Sequence, residues 1–144
     1  MLVARMALVM AGRRNATISI GVAGSSVTAG HDGFGDAAWP LVLERRLAPV
    51  WRRHFGVRFV VHNQAVGGRD PWPASWCLGA MMGADVDVVM REWEYWGAAD
   101  GLVVDEMGAR QPKADFDLAG YELLLRVALS LPRQPAVHLV FLGH

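Results

Sequence analysis

One short stretch, Gly24-Ser25-Ser26-Val27-Thr28-Ala29-Gly30, combines the residue types and spacing of nucleophilic catalysis. Its small residues let the backbone turn sharply, so that one hydroxyl, Ser26, faces outward with free amide N–H groups beside it. A serine placed in this way suits acyl transfer: its oxygen attacks a carbonyl carbon while the amides take up the developing charge. The same residues also make an ordinary strand-to-helix turn, and short motifs of this kind recur by chance.

Other loop chemistries do not fit. A phosphate-cradling loop needs G-x-x-x-x-G-K-[ST], and the span from Gly24 to Gly30 has neither that spacing nor the lysine. Gly21 and Gly24 do not make the dinucleotide fingerprint G-x-G-x-x-G. The G-x-S-x-G elbow fails because Thr28 stands where its last glycine belongs.

The elements around this loop must present it at the edge of a sheet. Thr17–Val22 is a β-branched run that reads as a buried parallel strand, and the exit of such a strand is where α/β folds place ligands. A helix follows over Asp36–His54, with Leu43, Leu47, Val50 and Trp51 on one face, a kink or split expected near Leu47 because of Pro49, and Gly56 ending it. Val57–His62 is the second strand. A Gly67-Gly68 loop and a short helix within Pro73–Met82 come next, then a third strand at Val86–Met90. Arg91 to Gly97 and a long polar loop lead through Pro112 to a helix over Asp115–Leu131, capped by Asp115 and stopped by Pro132. Ala136–Leu142 is the fourth strand. Strands alternating with helices predict βαβ units and a parallel sheet.

Composition narrows the class. The 144 residues make one domain, with a 53% hydrophobic and 19% charged composition that supports a packed core. Lys+Arg and Asp+Glu both count 14, so no global field favours nucleic acid or an anionic membrane surface. Cys77 is the single cysteine, which excludes an internal disulfide and leaves the compartment open; its neighbours Trp76 and Leu78 suggest a buried thiol. The apolar Met1–Met10 stretch is interrupted by Arg5 and followed by Arg13-Arg14, the wrong order for a signal peptide and too short for a membrane span. Residues 1–16 therefore read as a poorly defined N-terminal segment and 17–144 as the domain.

Three segments together resemble the SGNH/GDSL hydrolases, flavodoxin-like serine esterases and acyl hydrolases that use no metal or cofactor. Gly24 to Gly30 is similar to the family's first block, G-D-S-L/V-T-x-G, with Ser25 in place of the aspartate and the nucleophile at Ser26. Val61-His62-Asn63-Gln64-Ala65-Val66-Gly67-Gly68 is similar to the second block, whose final glycine donates its N–H to the oxyanion hole; that role falls on Gly68. Asp85 to Gly97 occupies the place of the third block. Trp96 stands at its oxyanion-hole asparagine, where an indole offers a single N–H, and Gly97 at its aspartate.

The family's closing D-x-x-H is not found. None of His31, His54, His62, His138 and His144 has an aspartate three residues before it. The resemblance implies a three-layer α/β/α sandwich with a parallel sheet ordered 2-1-3-4 and no fifth strand. It also implies hydrolysis of a small ester or acylated substrate through an acyl-Ser26 intermediate, with oxyanion donors at Ser26 and Gly68. Without the base, activity of this chain is expected to be weak or absent. Three readings stand: a fragment of an active enzyme, an enzyme whose base comes from a partner chain, or an inactive relative that only binds.

His31 is the alternative base, although His31-Asp32 reads first as a solvated loop. His62 reads as a core or rim residue and His138 as buried. Glu92 and Glu94 make a carboxylate pair for acid–base work or a solvated strand end. Trp72, Trp76, Trp93, Tyr95 and Trp96 line an acyl or sugar pocket or pack the core. Residues 136–142 are apolar, uncharged and without proline, so as a sheet edge they invite self-association.

Overall fold

The structure, a computed structural model, describes residues 6–7, 11, 16–31, 33–68, 72–93, 102–104, 110–112 and 118–140. Its centre is the strand β1 (Thr17–Gly24), flanked by β2 (Arg58–Asn63) and β3 (Val88–Glu92). After β1 come a short helix α1 (Ser26–Ala29), a single 3-10 turn (Gly35–Ala37) and the long helix α2 (Trp39–Phe55). Two short helices, α3 (Trp72–Trp76) and α4 (Leu78–Met82), precede β3. Beyond it lie β4 (Leu102–Val104), β5 (Arg110–Pro112), α5 (Leu118–Ser130) and β6 (Ala136–Leu139).

The main sheet is parallel throughout and ordered β2-β1-β3-β6. This is the expected 2-1-3-4 arrangement, with β6 as the fourth strand of the sheet. Alternation on β1 separates two cores. Ile18, Ile20 and Val22 pack with Phe59 and Val61 against Leu43, Leu47 and Trp51 of α2. Ala23 and Val89 face the other way, against Leu78 and Met82 of α4 and Leu124 and Ala128 of α5. Helices thus cover both faces, which makes the three layers and explains the near-continuous apolar character of β1. Gly21 is what lets α4 approach: a Cβ there would stand 2.4 Å from Met82 Sδ.

Several expectations are corrected. The helix around Pro49 is continuous from Trp39 to Phe55 rather than split into two. Pro49 lies on the exposed side, where water can serve the carbonyl left without a donor. The region expected to be a helix from Asp36 starts later, because Gly35–Ala37 forms a 3-10 turn and Pro40 enters at the first turn of α2. The stretch expected to be a polar loop contains an antiparallel pair, β4 with β5, Leu102 opposite Pro112. The third strand lies two residues later than expected, which carries Arg91 and Glu92 into the sheet.

At the N-terminal end of the sheet, Asp87 ties three elements together. Its carboxylate accepts from the Ser19 N–H at 2.9 Å and pairs with Arg133 at 3.3 Å, while its carbonyl accepts from the Ala136 N–H at 3.1 Å. No described helix is long and apolar enough to cross a membrane.

Candidate active site

The Ser26 loop stands at the C-terminal end of β1, the sheet edge where parallel α/β folds carry their ligands. Ser25 is its buried N-cap: extended backbone, with Oγ accepting from the Val27 N–H at 3.3 Å. Ser25 is thus a small capping hydroxyl beneath the turn. Ser26 is half-buried and opens α1, with its amide among the helix's first N–H groups.

Beneath this turn lies the Glu92 carboxylate, 1% exposed. One oxygen, Oε2, accepts from the Ser25 N–H at 3.0 Å, the Ser25 hydroxyl at 2.8 Å and the Thr28 hydroxyl at 2.7 Å. Thr28 Oγ1 in turn accepts from the Trp39 indole N–H at 3.0 Å. The other oxygen of Glu92 is buried and has no hydrogen-bond partner among the described residues. The register places Glu92 opposite Gly24, and a Cβ on Gly24 would stand 2.8 Å from Glu92 Oε2 and 2.7 Å from Thr28 Oγ1. Only glycine leaves room for this carboxylate under the loop. The expectation of a solvated strand end at Glu92 is thereby overturned, and Glu92 is the residue of the site whose role the sequence did not reveal.

The second loop is fastened to the first. Asn63 Nδ2 donates to the Thr28 carbonyl at 2.9 Å, and Asn63 Oδ1 accepts from the Ala65 N–H at 3.1 Å. Backbone pairing continues past β2, from the Gln64 N–H to Val22 O at 2.8 Å and from the Val66 N–H to Gly24 O at 3.2 Å. This carries Gly67 directly against the serine: a Cβ on Gly67 would lie 3.1 Å from Ser26 Cβ and 2.6 Å from His31 Nδ1. Gly68 follows in the left-handed region (φ 66), with no atom within 4 Å of where its Cβ would stand. The Ser26 loop, His31 and the Gly67-Gly68 turn are thus brought together at one edge.

Other sequence candidates lie elsewhere. His62 is exposed on β2, and His138 is exposed on β6 rather than buried, because that strand is at the sheet's edge. Cys77 is exposed rather than buried, because it sits in the break between α3 and α4. Trp93 packs in the core beside α5, and Trp76 is exposed. Asp32, Glu94, Tyr95, Trp96, Gly97, Asp115 and His144 lie outside the described residues, as do the side chain of Trp72 and the last two positions of the 136–142 strand.

No family model matches this chain, and no curated protein does. Among solved structures, it is similar to a two-domain esterase active on acetylated mannans, with a TM-score of 0.63 at 20% identity over 96% of this chain and 32% of that one. The same esterase co-crystallized with mannopentaose gives 0.62 at 20% identity, over 96% of this chain and 33% of that one. The likeness is one of fold, and this chain spans about a third of the length of those it matches.

Proposed function

We propose that this chain is an SGNH-type ester hydrolase that works through an acyl-Ser26 intermediate. The observation that carries this reading is the meeting of the Ser26 turn with the Gly67-Gly68 turn at the C-terminal edge of the sheet. Ser26 Oγ attacks the ester carbonyl, and the amides of Ser26 and Gly68 receive the oxyanion. The rigid support is below: Glu92 fixes both ends of the α1 turn, so the serine is held on a pinned backbone.

The fold neighbour's activity on acetylated mannans supports acetyl esters carried on a saccharide as the substrate class. Hydrolysis of nitrophenyl acetate and of acetylated mannan by the wild-type chain and by Ser26→Ala tests the reading. Slow acetate release that disappears in Ser26→Ala is expected. Equal, negligible rates in both would overturn the hydrolase reading for this chain and leave a saccharide-binding relative.

A further inference from the structure

The turn that leaves Ser26 returns a second functional group to it. Helix α1 ends in a left-handed cap at Gly30 (φ 88), where the Gly30 N–H donates to Val27 O at 3.1 Å and the His31 N–H to Ser26 O at 2.9 Å. These are the paired bonds of a Schellman cap, which folds the second residue past the helix back over the start of the last turn and commonly sets their side chains in contact. Here those two residues are Ser26 and His31. The side chains obey the same geometry: a Cβ on Gly67 would meet His31 Nδ1 at 2.6 Å, His31 Cε1 at 2.4 Å and Ser26 Cβ at 3.1 Å. Imidazole and serine therefore flank one point, beside the glycine pair assigned to the oxyanion.

We propose that His31 is the general base for Ser26. This assignment rests on the ester-hydrolase reading above. The Ser26 hydroxyl is one bond from its Cβ, His31 is exposed and Ser26 half-buried, and hydrogen bonds of this kind commonly tighten only when substrate is bound. In the first half-reaction, a ring nitrogen of His31 takes the Oγ proton as Oγ bonds to the carbonyl carbon and the carbonyl electron pair moves to oxygen. Collapse of that tetrahedral species breaks the bond to the alcohol, which leaves with the proton from the imidazolium. Water then gives a proton to His31 and attacks the acyl carbon. The second collapse releases the carboxylic acid and returns the proton to Ser26. The base is thus supplied from within six residues of the nucleophile.

The experiment compares wild type, Ser26→Ala and His31→Ala on nitrophenyl acetate, with and without added imidazole. The Ser26→Ala, His31→Ala double variant corrects for hydrolysis by imidazole itself. Expected is Ser26-dependent turnover that falls about 10²–10⁴-fold in His31→Ala. Imidazole should restore part of it in His31→Ala and none of it in Ser26→Ala. Ser26-dependent turnover that is unchanged in His31→Ala overturns the base assignment and leaves the hydrolase reading standing. A loss that imidazole does not restore, in a variant with wild-type circular dichroism, also overturns it, since His31 would then act on structure. Absence of any Ser26-dependent turnover in wild type overturns both.

Discussion

The Thr28 hydroxyl donates to the Glu92 carboxylate across 2.7 Å, joining the last turn of α1 to the end of β3 with both side chains buried. Because the same oxygen also takes the Ser25 N–H and hydroxyl, the loop is held at both ends by one acceptor. Under the proposed ester-hydrolase reading Ser26 must be held to within fractions of an ångström, and this acceptor pins the turn that carries it.

Replacing that acceptor should be costly in proportion to what is left unpaired. Glu92→Ala strands three buried donors and is expected to lower stability by about 3 kcal/mol, whereas Glu92→Gln keeps one acceptor oxygen and should lose about half as much. Urea unfolding of the two variants measures this. An alanine variant as stable as wild type would show that the network contributes nothing.

Gly24 is required for the same arrangement. In Gly24→Ala the new methyl would stand 2.7 Å from Thr28 Cβ and 2.8 Å from Glu92 Oε2, and neither is the loose end of a long side chain. The expected loss is about 2 kcal/mol, in the range of overpacked cores, together with loss of Ser26-dependent turnover. Gly33→Ala, where no atom lies within 4 Å of the new methyl, is the matched control and should be neutral in both measurements.

What the sequence made legible, and what it hid, follows from the range of the interactions. The β-branched runs of β1 and β2 and the apolar run of β3 specify buried parallel strands by themselves, whereas their order, 2-1-3-4, was legible only through the family resemblance. Glu92 could not be read, because its burial depends on the missing Cβ of a residue on another strand, Gly24. Cys77 misled for a related reason: apolar neighbours predict burial, but a break between two short helices turns Trp76 and Cys77 outward. His31 carries a sequence signal of its own. Gly30 is the residue that permits a left-handed cap, and such a cap reverses the chain so that residues five apart meet.

Asp87 anchors the end of the sheet remote from the site, and its loss should leave the chemistry alone. Asp87→Ala removes the acceptor of the Ser19 N–H and the partner of Arg133. It is expected to cost about 2 kcal/mol. Any turnover measured on the folded variant at low temperature should match wild type. A selective loss of turnover without loss of stability would show that the two ends of β1 are coupled.

The edge formed by β6 leads to the last prediction. Among the described residues, β6 pairs with β3 on one side and with no strand on the other. The Ala136 N–H donates to Asp87 O at 3.1 Å and the Val140 N–H to Arg91 O at 2.8 Å, so the alternating groups of Val137 and Leu139 point away from the sheet. An apolar edge of this kind, carrying no Asp, Glu, Lys or Arg from Ala136 to Val140, is open to pairing with a second copy. The 144-residue chain is therefore expected to self-associate through β6, with an apparent mass in sedimentation that falls on dilution. Leu139→Pro removes an outward N–H without touching the bonds to β3, and proline is tolerated at such edge positions. It should shift the chain towards monomer with little change in urea midpoint. A wild-type chain that stays monomeric at all concentrations would show this edge to be covered, and a Leu139→Pro chain that still associates would place the contact elsewhere on the surface.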